Sequence, residues 1–167
     1  TKGIAGEQIT SDEFAGRVDD IPVVQLVNGL AFPGTENADV DHALVYGSKV
    51  AFIDSKYWPG SDFRWQGESA ITSGRGTSLS IYEIHFTESL KRLSEKLTPQ
   101  GKTVRGWVVV HSNSGRTVEV ESSPANLPTL ATGEAWLGEV VADSPPVSAN
   151  PVHPQSPVRR VQPIAAV

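Results

Sequence analysis

Two runs of apolar, β-forming residues, 39–46 and 49–58, are separated by only two residues, Gly-Ser at 47–48. Glycine followed by a small polar residue is typical of a two-residue hairpin turn, because the first central position takes a positive φ. Such a turn also fixes the register of the two strands. The register predicted here places Asp41 opposite Asp54, so the chain is expected to be built around one antiparallel hairpin.

The hairpin brings charged side chains together at its open end. Side chains alternate across a strand, so Asp41, Asp54 and Lys56 share one face. Directly opposed residues have Cβ atoms about 4.5–5.5 Å apart, where like charges repel. A divalent cation would relieve that repulsion, and hard oxygen ligands suit Mg²⁺ or Mn²⁺. A surface hairpin with a solvated charged end has the same pattern, and the residues alone leave both interpretations open.

The charged residues also resemble a known nuclease motif. Asp41 followed by Asp54-Ser55-Lys56 after an apolar strand resembles the PD-(D/E)xK motif of restriction-endonuclease-like nucleases. The longer string over 39–58, together with Gly6-Glu7 near the start, is similar to the nuclease-related domain (NERD) branch of that superfamily. The resemblance covers residues 3 to about 140. It implies an α/β domain with a restriction-endonuclease-like core, a mixed central β-sheet flanked by helices.

The resemblance further implies metal-dependent hydrolysis of phosphodiester bonds, with DNA as the expected substrate and partner. The implied catalytic residues are Asp41, Asp54, Lys56 and Glu7. The ligands of Mg²⁺ (or Mn²⁺) would be Asp41, Asp54, Glu7 and the backbone carbonyl of Ser55. Lys56 would orient the attacking water or stabilise charge on the phosphate. RNA as a substrate needs the same residues, and a non-catalytic nucleic-acid-binding or assembly module on the same fold is the alternative.

Three basic residues are candidate contacts for nucleic acid. Arg64 lies between Phe63 and Trp65, a basic-aromatic group that can meet phosphate and stack on bases. Lys91 and Arg92 fall on the expected exposed side of a helix, where they could follow a nucleic-acid backbone. Both sites also have a structural interpretation, as the cover of a sheet edge and as a solvated helix face.

Composition excludes several classes of site. The chain of 167 residues has no cysteine, which excludes disulfides, thiolate zinc sites and a cysteine nucleophile, and which fits a cytoplasmic location. No apolar run has the length of a membrane span, so no membrane segment is expected in this chain. The formal net charge of −5 argues against a generic polyanion-binding protein. It does not argue against a nuclease, because metal-binding carboxylates count as negative until the cation binds.

The sequence predicts one domain over residues 1–142 and a Pro-rich tail or linker over 143–167 that adds little to the core. The absence of Met and the start at Thr1 indicate a fragment or a processed form. Ser80 and Glu83 have the spacing of a capping box, which predicts that a helix begins there. Helices are predicted over 3–17, 80–97 and around Trp136-Leu137, strands over 21–32, 39–46, 49–58, 104–111 and 117–121, and a polar loop over 69–79.

Overall fold

The computed structural model describes residues 2–17, 25–31 and 39–143, which form a mixed α/β structure with two mixed β-sheets. The helices are α1 (Lys2–Arg17), α2 (Phe86–Leu97) and α3 (Gly133–Asp143). The strands are β1 (Gln25–Ala31), β2 (Asp39–Tyr46), β3 (Lys49–Trp58), β4 (Asp62–Gln66), β5 (Ala70–Ser73), β6 (Ser80–Glu83), β7 (Thr103–Ser112), β8 (Glu119–Val120) and β9 (Thr129–Thr132). The predicted tail lies outside the described residues apart from Asp143, and so does the predicted first strand before Gln25.

The larger sheet has five strands in the order β1-β2-β3-β7-β9. Its first three strands are antiparallel, whereas β3, β7 and β9 run parallel to one another. The smaller sheet has the order β6-β5-β4-β8, and β4 to β6 lie between β3 and α2 in the chain. These features confirm the α/β class with a mixed central sheet. Within the described ranges, no helix is long and apolar enough to cross a bilayer.

The central hairpin has the register that the turn predicts. Tyr46 pairs with Lys49, and the pairing continues without a break to His42 and Ile53. Gly47 has a φ of 65°, the left-handed conformation that glycine adopts at little cost. The prediction for the hairpin is therefore confirmed, and the next position along the two strands brings Asp41 and Asp54 face to face.

The five-stranded sheet is covered on both faces. On one face, Ile53 and Trp107 pack with residues of α1 and α3, such as Phe14 and Trp136. On the other face, the core includes Phe52, Val108 and Val110 of the large sheet, Phe63 and Ile71 of the small sheet, and Phe86 of α2. Strands β3 and β7 are therefore buried on both sides, which explains why residues 104–111 read as a nearly continuous apolar run.

Two predictions for the middle of the chain are wrong. Residues 80–83 form strand β6, and α2 begins only at Phe86. Residues 69–79 are not one polar loop, because Ala70–Ser73 form β5 and pair antiparallel with β6. The spacing of Ser80 and Glu83 suits a helix cap, but Ile81 and Tyr82 are strand-forming residues, and the pairing with β5 decides their conformation. Of the predicted strand over 117–121, only Glu119–Val120 (β8) form a strand. Strand β9 (Thr129–Thr132) was not predicted.

Candidate active site

The predicted catalytic residues of the hairpin lie at the end opposite its turn. Asp41 lies one residue before His42, the last residue of β2 that pairs with β3, and its carboxylate accepts a hydrogen bond of 2.7 Å from the backbone N–H of Ser55. The Asp41 side chain therefore reaches across to β3, at the point where the backbone pairing with β2 ends. This contact holds the Asp41 carboxylate beside the next acidic residue of β3, Asp54.

Lys56 and Asp54 form a tight ion pair on one face of β3. The Nζ atom of Lys56 lies 2.7 Å from Oδ1 of Asp54. The Asp54 side chain is only 7% exposed and the Lys56 side chain is 30% exposed, so the pair sits at the border between core and solvent. The structure therefore brings Asp41, Asp54 and Lys56 together at the open end of the hairpin, as predicted.

Both carboxyls hold their negative charge less readily than an exposed aspartate. The pKa of Asp41 is raised to about 6, first by burial and then by the charge of Asp54, whereas the Ser55 N–H and the Lys56 ammonium act in the opposite direction. Burial also raises the pKa of Asp54, against the charge and hydrogen bond of Lys56. One lysine thus does not compensate two buried carboxylates, and a further positive charge would stabilise the ionised pair.

Helix α1 brings a third carboxylate to this end of β3. A Cβ atom on Gly6 would lie 3.3 Å from the carbonyl carbon of Lys56 and from the backbone nitrogen of Tyr57, so α1 passes directly over the β3 backbone there. Glycine permits this close approach because it has no side chain. The next residue, Glu7, is near enough for its charge to raise the pKa of Asp54. Glu7 also lines the same cleft as Asp41, and its predicted place in the acidic cluster stays a prediction.

The carboxylate and carbonyl oxygens at this site are of the type that binds a hard divalent cation, but three side-chain ligands are not already gathered there. Among residues 2–17, 25–31 and 39–143, no three His, Asp or Glu side chains meet closely enough to hold a metal ion. What is present is a pair of adjacent carboxylates, the half-buried Asp41 and the buried Asp54, whose pKa values are both raised, first of all by burial. Carboxylate and carbonyl oxygens are the donors that Mg²⁺ prefers. The ligand roles of Asp41, Asp54, Glu7 and the Ser55 carbonyl stay predictions.

Arg64, a predicted nucleic-acid contact, is engaged within the small sheet. Its Nη2 donates to the carbonyl of Gly74 at 2.8 Å, and its Nη1 lies 3.7 Å from the Asp62 carboxylate. Asp62 in turn accepts a hydrogen bond of 3.0 Å from the Gly74 N–H. These contacts give Arg64 a structural role in holding the loop after β5, and its role toward nucleic acid stays a prediction.

The two predicted basic contacts on α2 lie toward the other end of the sheet. Leu90 of the same helix packs against Gly106, which pairs with Phe52 near the beginning of β3. Lys91 is exposed at a cleft of about 740 Å³ between α2 and the loop over 123–128, and Arg92 pairs with Glu88 of its own helix at 3.2 Å. The structure therefore does not bring Lys91 and Arg92 to the carboxylate pair.

An aromatic group further along the same face of β3 was missed. Trp58 lies two residues after Lys56, on the same face of β3, and its ring stacks on Tyr82 with centroids 4.2 Å apart and planes within 8°. The Tyr82 hydroxyl donates to the carbonyl of Pro59 at 2.9 Å, and Phe63 packs at the side of both rings. The alternation along β3 could have placed Trp58 here. Tyr82 could not be placed, because residues 80–83 were assigned to a helix.

His42 has a structural position in the core beside Asp41. The side chain is buried under α1, and Nδ1 lies 2.8 Å from Oδ1 of Asn28 on the neighbouring strand. Burial lowers the pKa of His42 to about 4, so the ring is neutral at physiological pH. The imidazole therefore supports β1 and β2 beside Asp41 and adds no charge to the site.

The raised pKa of Asp41 predicts a pH-dependent gain in stability for the Asp41→Asn variant without metal. Because the folded pKa of about 6 exceeds the ordinary value of 3.8, the carboxyl stabilises the fold below pH 3.8 and loses this contribution as pH rises through 6. Asn can still accept the Ser55 hydrogen bond. We expect equal melting temperatures near pH 4 and an advantage of a few degrees for the variant at pH 7, where about 1 kcal/mol corresponds to 2–4 °C.

Thermal melts in EDTA from pH 4 to 8 measure this difference. Asp12→Asn, on the exposed side of α1, is the matched control, because solvent screens its charge. An unchanged difference between wild type and Asp41→Asn across this range would show that Asp41 is not electrostatically strained.

No protein-family model, no curated protein and no solved structure matches this chain.

Proposed function

We propose that this chain is a divalent-metal-dependent nuclease that hydrolyses phosphodiester bonds, with DNA as its first substrate, and that it belongs to the NERD branch of the PD-(D/E)xK nucleases. The observation that carries the proposal is the meeting of Asp41, Asp54 and Lys56 at one end of the central hairpin. Neighbouring carboxylates that are half-buried or buried and have raised pKa values are costly for stability, and functional sites are where such groups concentrate.

The order of elements supports the same proposal. Helix α1, the three antiparallel strands β1 to β3, helix α2 and the parallel strand β7 follow one another in the order expected of a restriction-endonuclease-like core. Strands β4 to β6 are then an insertion between β3 and α2. In this arrangement the acidic pair comes from the hairpin and Glu7 from the first helix, as the resemblance implies.

Each residue has a definite part in the proposed reaction. A bound Mg²⁺ would polarise the scissile phosphate and lower the pKa of a bound water. Asp41 and Asp54 would hold the cation, and Glu7 would add negative charge beside them. A cation held by Asp54 would weaken the hold of that carboxylate on the Lys56 ammonium, which lies 2.7 Å away. Lys56 can then donate to the attacking water or to a phosphate oxygen on which charge develops.

A non-catalytic nucleic-acid-binding or assembly module is the second candidate. It is favoured by one observation, namely that no third His, Asp or Glu completes a metal site in the described part of the chain. In such a module the Asp54–Lys56 ion pair would be a structural contact, and Mg²⁺ would have no specific effect.

A cleavage assay separates the two candidates. We expect the protein to cleave single- or double-stranded DNA in Mg²⁺ or Mn²⁺, to be inactive in EDTA, and to lose activity when Asp41 or Asp54 is replaced by Asn. RNA of the same sequence tests the substrate class. Binding of DNA without cleavage, unaffected by Mg²⁺ and by both substitutions, would favour the non-catalytic module and contradict the nuclease.

A further inference from the structure

A buried hydroxyl on α1 joins that helix to two strands of the large sheet. The Ser55 hydroxyl donates to Oγ1 of Thr10 at 2.8 Å, and the same Thr10 oxygen lies 2.7 Å from Nε2 of His111. All three residues are buried, with Thr10 only 1% exposed. Ser55 belongs to β3 and His111 to β7, so one side chain of α1 binds both of the central parallel strands.

The position of this contact along β3 connects it with the candidate active site. Ser55 lies between Asp54 and Lys56, and its side chain points to the opposite face, toward α1. One helical turn before Thr10, Gly6 lies against the backbone of Lys56. Helix α1 is therefore held on β3 at two points, and Glu7 is the residue that follows the first of them.

The Thr10 hydroxyl has a role that an apolar side chain of the same shape does not replace. If Thr10 accepts the Ser55 hydrogen bond and donates its own proton to Nε2 of His111, each of these buried polar atoms has a partner. Valine would leave the Ser55 hydroxyl and His111 Nε2 without that partner in a place from which water is excluded. Buried polar atoms in this state are costly, so the helix would shift until they find other partners.

We propose that Thr10 is a positioning residue of the active site: its hydroxyl, held between Ser55 and His111, fixes α1 on β3 and so sets Glu7 in the cleft that Asp41 also lines. The proposal rests on the proposed nuclease function in that it assigns the affinity for Mg²⁺ in part to this contact. Thr10 itself touches neither metal nor substrate. It acts through the helix that carries the third carboxylate.

The test compares Thr10→Val with Thr10→Ser, which keeps the hydroxyl. We expect Thr10→Val to raise the Mg²⁺ concentration for half-maximal cleavage about tenfold, as is usual when a group that supports a metal ligand is lost. The Mg²⁺ dissociation constant from calorimetry should rise by the same factor. Thr10→Ser should stay within about twofold of wild type. Thr72→Val, the same change at a buried threonine of the small sheet, is the matched control and should leave both values unchanged.

Ser55→Ala replaces Thr10→Val as the test variant should the valine protein fail to fold. It removes the same hydrogen bond from the β3 side with a smaller change in volume, and its effect on Mg²⁺ affinity should have the same direction. Mg²⁺ affinities of Thr10→Val or Ser55→Ala equal to wild type, together with loss of Mg²⁺ binding in Asp54→Asn, would overturn the role of Thr10 and leave the nuclease proposal standing.

A measurement without metal separates this proposal from the nuclease function. In the wild type, the contact of Gly6 with the backbone of Lys56 and Tyr57 should give nuclear Overhauser effects between Gly6 and the Tyr57 amide. Weakening of these effects in Thr10→Val but not in Thr72→Val would support the positioning of α1 by Thr10, even if the wild type neither bound Mg²⁺ nor cleaved DNA. Their persistence at full intensity in Thr10→Val would overturn it.

Discussion

Replacement of Asp54 by Asn is expected to abolish Mg²⁺-dependent cleavage and, in the same protein, to raise the melting temperature measured without metal. The substitution removes one charge from a pair of carboxyls, the half-buried Asp41 and the buried Asp54, whose pKa values are both raised. The new amide can donate a hydrogen bond to the Asp41 carboxylate at any pH, whereas the native pair shares a hydrogen bond only when one of the two carboxyls is protonated. A gain of about 1 kcal/mol would appear as a rise of 2–4 °C for a chain of this length.

The effect on activity should be much larger than the effect on stability. Loss of a group that only supports a metal ligand typically costs 10–100-fold, so loss of the ligand itself should lower cleavage by more than about 100-fold. The opposite directions of the two effects distinguish a metal ligand from a structural aspartate. A structural Asp54, held only by Lys56 at 2.7 Å, would lose stability on substitution.

Melts and cleavage assays with and without Mg²⁺ measure both effects on one preparation. Asp12→Asn on the exposed side of α1 is again the control, and it should behave as wild type in every assay. If Mg²⁺ raised the melting temperature of wild type and Asp54→Asn by the same amount, Asp54 would not be a ligand and the proposed site would be wrong.

Lys56→Met should reduce cleavage at saturating Mg²⁺ by at least about 100-fold, because general acid–base and positioning contributions of one side chain are usually 10²–10⁴-fold. Methionine keeps the length and apolar part of the lysine stem and removes the ammonium. Binding of Mg²⁺ should be unchanged or tighter, since the ammonium and the cation compete for Asp54. Loss of cleavage without loss of Mg²⁺ affinity is therefore the result expected if Lys56 acts in the chemical step.

The same variant should be less stable than wild type when metal is absent. Lys56 is the partner that opposes the raised pKa of Asp54, so its removal leaves a buried carboxylate without its nearest positive charge. Added Mg²⁺ should restore the lost stability. Lys96→Met, at an exposed position of α2, is the control for the loss of one lysine.

Three measurements on Lys56→Met test these expectations: calorimetry gives the Mg²⁺ affinity, thermal melts give the stability, and single-turnover assays give the cleavage rate. Full cleavage activity in this variant would show that Lys56 serves only as the ion-pair partner of Asp54. A parallel loss of Mg²⁺ binding and cleavage would instead give Lys56 a structural role in forming the metal site.

The part of the site that lies in the hairpin could be predicted because it depends on local rules. The turn at 47–48 fixes the register, and strand alternation then assigns Asp41, Asp54 and Lys56 to one face. Both rules act over fewer than about twenty residues and need no knowledge of the rest of the fold. For the same reason the helix over Lys2–Arg17 and the buried strand over Thr103–Ser112 were predicted close to their observed bounds.

Residues 80–83 were predicted wrongly because their local signals conflict. The spacing of Ser80 and Glu83 favours a helix cap, whereas Ile81 and Tyr82 favour a strand, and only the neighbouring strand β5 resolves the conflict. The stacking of Tyr82 on Trp58, further along the face of β3 that carries Asp54 and Lys56, follows from that pairing. Strand β9 was missed for a related reason, since its four residues pair only with β7, which is distant in the chain.

The residues of the hairpin alone thus decided which acidic and basic side chains share a face, because turn geometry and alternation are properties of neighbouring residues. The tertiary structure decided how buried those side chains are, and burial is what raises the pKa values of Asp41 and Asp54. It also decided that Thr10 meets Ser55 and His111, which are 45 and 101 positions away in the chain. Contacts at such separations depend on how helices and sheets pack, and that packing cannot be obtained from the order of residues within any one element.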